Sequence, residues 1–73
     1  MNNVIELRAK VVNALISKYF KLNSPLQAKV NPCGVLQYIN TNIVVFDCLF
    51  FLRVITEQGI FEVNQTTGLR KIK

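Results

Sequence analysis

Seventy-three residues, 51% of them hydrophobic and 18% charged, suffice for one domain over residues 1–73 and are too apolar for a disordered chain. Nine Lys and Arg against four Asp and Glu leave a net charge of +5, which favours nucleic acid, an acidic protein face or anionic lipid as partners. Histidine is absent, which removes the commonest general base, triad partner and metal ligand and sets the expectation of a chain that is not an enzyme.

Asn3 ahead of Val4, Ile5 and Glu6 spells an N-cap with a capping-box acid, so a helix is expected to start there. Glu6, Lys10, Asn13, Ser17 and Lys21 recur at spacings of four, three, four and four, which lays them on one polar stripe. The apolar remainder, from Val4 to Tyr19, covers an arc of roughly 200°, wider than one sheet normally hides. Arg8 projects from the middle of that arc. Its stem is expected to snorkel over apolar neighbours, with pairing to an acid such as Asp47 as the alternative. The helix should fail by Asn23, because Pro25 removes a donor and forces Ser24 out of helical geometry.

From Leu26 the apolar period becomes two, and residues 26–30 read as a half-buried strand. Asn31, Pro32, Cys33 and Gly34 suit a type I turn, followed by a hairpin partner over 35–39. After the break at Asn40, Thr41 and Asn42, residues 43–55 read as one long strand with a bend or bulge near 47–49. Val44, Phe46, Cys48, Phe50, Leu52 and Val54 would share its core face, with Phe46 and Phe50 against the helix. Residues 60–64 and 69–72 complete the strands, separated by turns at Glu57, Gln58, Gly59 and at 65–68. The fold expected is α+β, an N-terminal amphipathic helix packed on an antiparallel sheet of four or five strands; an SH3-like small barrel with a helical extension is the alternative.

The run Gly59, Ile60, Phe61, Glu62, Val63, Asn64, followed by Thr67 and Gly68, resembles the end of PepSY-type domains, in which a helix precedes antiparallel strands. The resemblance covers the last third of the chain and implies no function or site residue.

Cys33 and Cys48, fifteen residues apart, make neither a four-ligand zinc set nor a Cys-x-x-Cys redox pair, so no metal or cofactor is expected. Cys48 reads as a small buried hydrophobe and Cys33 as an exposed thiol. The three glycines each fall at a turn, so no phosphate-cradling loop is present and no small-molecule substrate is indicated. Charges interrupt the first apolar residues and the 43–55 segment is too short to cross a bilayer, so neither a secretory signal nor a membrane span is expected, and the cytoplasm is the expected location.

What remains is surface. If the even-numbered residues of 43–55 face the helix, then Ile43, Val45, Asp47, Leu49, Phe51, Arg53 and Ile55 form a second apolar face with nothing to cover it. A non-catalytic interaction or assembly module follows, most simply a homodimer, with a different protein as the other candidate partner. The alternative is a nucleic-acid-binding module using Lys10, Lys18, Lys21, Arg70, Lys71 and Lys73, with Tyr38 as a stacking surface. The two readings are separated by whether those basic residues share one face.

Overall fold

The helix begins where its cap was expected: α1 spans Asn3–Ser17 in the computed structural model, which describes residues 3–48 and 50–73. It ends earlier than Asn23. The amides of Tyr19 and Phe20 both donate to the Ile16 carbonyl, at 3.0 and 2.8 Å, and this tight turn drops the Phe20 ring edge-on against Phe61, 5.2 Å between centroids. Ser17 contributes by donating its hydroxyl back to the Asn13 carbonyl at 2.6 Å, the local bond through which serine competes with helix continuation.

Six strands follow: β1 (Gln27–Val30), β2 (Leu36–Ile39), β3 (Val44–Asp47), β4 (Leu52–Thr56), β5 (Gly59–Asn64) and β6 (Gly68–Lys71). They form one antiparallel meander in chain order, so β1 and β6 are its edges. The α+β class stands, but with six strands instead of four or five, and the sheet does not close into the alternative barrel.

The additional strand comes from residues 43–55, which do not run as one element. An extended segment of thirteen residues would measure about 43 Å at ~3.3 Å per residue, and the longest dimension of the molecule is 34 Å. The chain therefore reverses between Asp47 and Leu52, where the Cys48 amide donates to the Phe51 carbonyl at 3.0 Å and the Phe50 amide to the Cys48 carbonyl at 2.8 Å. No Gly, Pro, Asn or Asp marks the reversal. What had been read as a bend is a hairpin.

The hairpin also changes which residues face the helix. Its register pairs Val44 with Ile55, Val45 with Val54, Phe46 with Arg53 and Asp47 with Leu52, so an even-numbered residue of β3 always shares a face with an odd-numbered residue of β4. Leu52 and Val54 lie in the core as expected, but their β3 companion there is Val45, not Phe46. Phe46 is half-buried on the opposite face, Phe50 is 85% exposed at the hairpin tip, and Cys48 is half-buried in the same tip. The expectation of Phe46, Phe50 and Cys48 as core residues is thus corrected, because a hairpin exchanges the two faces between its arms.

The core lies between α1 and one face of the sheet. Val12 and Ile16 from the helix meet Tyr38, Val45, Leu52, Val54 and Val63, with Leu26 and Ile43 closing the ends. Two polar devices fix the helix on that face. The Asn13 side chain accepts from the Leu26 amide at 2.7 Å and donates to the Leu26 carbonyl at 3.0 Å, which holds the entry into β1 as a strand neighbour would. Arg8 reaches Asp47 at the end of β3 with both ends of its fork, Nε to Oδ2 at 2.7 Å and Nη2 to Oδ1 at 3.1 Å.

The shorter turns behave as spelled. Asn31 accepts the Gly34 amide on its carbonyl at 2.9 Å, while its Oδ1 accepts the amides of Cys33 and Val35, both at 2.9 Å. Gly59 joins β4 to β5 at a φ of 134°, and a Cβ there would collide with the Lys73 carbonyl.

Candidate interaction surfaces

Among the described residues no group of three or more His, Cys, Asp or Glu side chains is assembled, and both cysteines are free thiols, Cys33 exposed and Cys48 half-buried. The densest polar chemistry is the Arg8–Asp47 pair. It is bidentate and partly shielded, with side-chain exposures of 35% and 19%, so Arg8 does not merely snorkel; the alternative pairing is the one adopted. The hydrogen bond to Asp47 raises the Arg8 pKa, and burial pulls it part of the way back. Beside the pair stands Tyr38, fully buried, whose hydroxyl has no hydrogen-bond partner. Burial raises the phenol pKa, the negative charge of Asp47 adds to the rise, and Arg8 opposes it. Full burial also removes Tyr38 as a stacking surface.

The face of the sheet turned away from α1 carries two rows of side chains. Cross-strand register aligns Ile39, Val44, Ile55 and Ile60 in one row and Gln37, Phe46, Arg53, Glu62 and Arg70 in the next. Among the described residues no helix or strand lies over these rows. Ile55 is 37% exposed, and Val44, Phe46 and Ile60 are half-buried only by their own neighbours in the sheet. Two members of the surface expected from the sequence, Arg53 and Ile55, stand on this face. Ile43 and Val45 do not: both are in the core. Asp47 is engaged with Arg8 on the helix side, Phe51 is half-buried beneath the Arg53 guanidinium at 5.5 Å, and Leu49 lies outside the described residues. An unpartnered face exists as expected, but β3 contributes Val44 and Phe46 to it in place of Ile43, Val45 and Asp47.

The helix side has apolar exposure of its own. Val4, Leu7 and Val11, at 73, 61 and 41% exposure, form a stripe along α1, the surplus of an apolar arc wider than the sheet beneath it. Between α1 and the far strands a groove of about 260 Å³ is lined by Arg8, Leu15, Phe50, Leu52 and Val63 among others.

The basic residues divide. Lys10 is exposed in the middle of α1, and Arg70 stands on the open sheet face with Nη2 3.5 Å from Oε1 of Glu62. Lys18 and Lys21 follow the end of α1, where Tyr19 and Phe20 turn toward the sheet. Lys71 joins them: its ammonium lies 5.9 Å from the centre of the Phe61 ring, on which Phe20 packs. At this end of the molecule an open cleft of about 420 Å³ is lined by Tyr19, Phe20, Lys21, Asn42, Ile43, Thr56, Glu57 and Gln58. The cations were legible in the sequence without the cleft, because Asn42 and Gln58 read only as a break and a turn residue. The Asn13 clamp was missed too, its one signal being an asparagine in a helix interior, where that residue is disfavoured.

The chain matches no protein-family model, no curated protein and no solved structure. The resemblance of its last third to PepSY-type domains therefore gains no support. Among the described residues no helix is long and apolar enough to cross a membrane.

Proposed function

We propose that this chain is a non-catalytic assembly module that self-associates by burying the open face of its sheet against the same face of a second copy. The observation that carries the reading is the self-complementarity of that face. A two-fold axis parallel to the strands, between β4 and β5, sets each β4 residue opposite its β5 row-mate in the second copy. Arg53 then meets Glu62 and Ile55 meets Ile60, each contact occurring twice as an isologous interface requires. By the same rotation Phe46 of β3 comes opposite Arg70 of β6, a guanidinium over an aromatic face.

The size of the face sets the strength. That rotation gives only β3–β6 a strand opposite them, and four strands at ~4.8 Å spacing, each giving about 15 Å of length, present roughly 290 Å² per copy. The two copies together fall below the ~1,200 Å² of standard stable interfaces, so association belongs in the weak, reversible class. Sedimentation equilibrium from ten to several hundred micromolar tests this. Arg53→Glu should leave a monomer of 8.3 kDa throughout the range, because it places two acids face to face, and the double variant Arg53→Glu/Glu62→Arg should restore the dimer. A parent chain that stays monomeric across the range, or a double variant no better than the single one, removes the reading.

A further inference from the structure

We propose that the cleft at the C-terminal end of α1 is a binding site for single-stranded nucleic acid, taking one base inside and the flanking phosphates on Lys21, Lys71 and Lys73. The inference is independent of self-association, since the cleft lies on the helix side of the sheet and shares no residue with the open face.

Three observations converge on it. The first is chemistry within the cleft. Tyr19, 40% exposed, offers an aromatic ring at the wall, and the side-chain amides of Asn42 and Gln58, both exposed, line the cleft with no hydrogen-bond partner among the described residues. An aromatic ring beside free amide donors and acceptors is the equipment that unstacked bases require, stacking on the face and hydrogen bonding at the edge. The second is size: about 420 Å³ stands at the low end of ligand sites, room for one nucleotide unit and not for a helix or a strand of a protein partner.

The third is the placement of charge. Lys21 lines the cleft directly. Gln58 also lines the cleft and is followed by Gly59, beside which the Lys71 Cε and the Lys73 carbonyl lie, so both residues sit next to that rim. The folded chain thus joins cations fifty residues apart in sequence, Lys21 and Lys71, around a single aromatic cleft. Lys10 and Arg70 are left out. Glu57 is the one acid among the described residues that line the cleft, and its carboxylate can accept from a base N–H donor such as N3–H of uracil or thymine.

Fluorescence anisotropy with labelled dodecamers of uridylate and of thymidylate tests the site. Three phosphate contacts predict a slope of log K against log salt of about −2 for a single strand, and Lys21→Gln should reduce it by about 0.7. Tyr19→Ser should weaken binding roughly 10- to 100-fold through lost stacking. Lys21→Arg should bind as the parent does, which keeps the test valid if Tyr19→Ser perturbs folding. Lys10→Gln removes the same charge outside the cleft and should leave affinity within about twofold. A loss from Lys10→Gln equal to that from Lys21→Gln would overturn the site in favour of diffuse charge. A duplex bound as tightly as the single strand, polyglutamate competing as well as the oligonucleotide, or no saturable binding at 50 mM salt would also overturn it.

Discussion

Replacing Arg8 by Met tests whether the bond between helix and sheet is electrostatic or only apolar. Methionine keeps most of the stem that packs beneath the helix and deletes both donors to Asp47. Exposed ion pairs are worth about 0–1 kcal/mol, whereas stripping one partner from a buried pair costs about 3–5 kcal/mol. With Arg8 about a third exposed and Asp47 about a fifth, solvent screening places this pair between the limits, and a loss of about 1–3 kcal/mol is expected. In a domain of this size that corresponds to a fall in melting temperature of roughly 5–20 °C. Urea titrations of the parent, Arg8→Met, Asp47→Asn and the double variant, followed by circular dichroism, give the coupling directly. A coupling below about 0.5 kcal/mol, or a melting temperature of Arg8→Met within 2 °C of the parent, would refute the clamp and return Arg8 to a snorkelling role.

Two further substitutions check the core. Val45→Ala should cost about 2–3 kcal/mol and Phe46→Ala about 1–2 kcal/mol in dilute solution, although phenylalanine is the larger residue, since only Val45 is fully enclosed; the reverse order would mean that the face assignment of β3 is wrong. Tyr38→Phe should leave stability at pH 7 unchanged or raise it by up to about 1 kcal/mol, because the hydroxyl it removes is buried without a partner. The folded-state phenol pKa is raised above its ordinary 10.0, so the stability linked to it is complete below pH 10 and is lost as the pH climbs through the folded value. Urea midpoints at pH 7 and pH 11 should therefore converge in Tyr38→Phe relative to the parent, and a loss above about 1.5 kcal/mol at pH 7 would show the hydroxyl to be satisfied.

Sequence alone determined the elements governed by local chemistry. The start of α1 follows the Asn3 to Glu6 spelling, and the Asn31–Pro32–Cys33–Gly34 turn and the glycine-bounded hairpins after β4 and β5 rest on a side chain that bonds its own neighbouring backbone or on backbone angles that glycine tolerates. Those preferences operate within a few residues and need no knowledge of the rest of the chain. The reversal between β3 and β4 was illegible for the same reason: Cys48, Phe50 and Phe51 have no intrinsic turn preference, and the hairpin shows only in the pairing of β3 with β4. That one tertiary decision exchanged Phe46 for Val45 in the core and redrew the open face. It was tertiary structure again that chose Asp47 as the partner of Arg8, thirty-nine residues away, and gathered Lys21 and Lys71 at one cleft while leaving Lys10 and Arg70 apart. Charge and hydrophobicity are properties of residues and can be counted in a sequence; a surface is a property of register, which is fixed only when the strands pair.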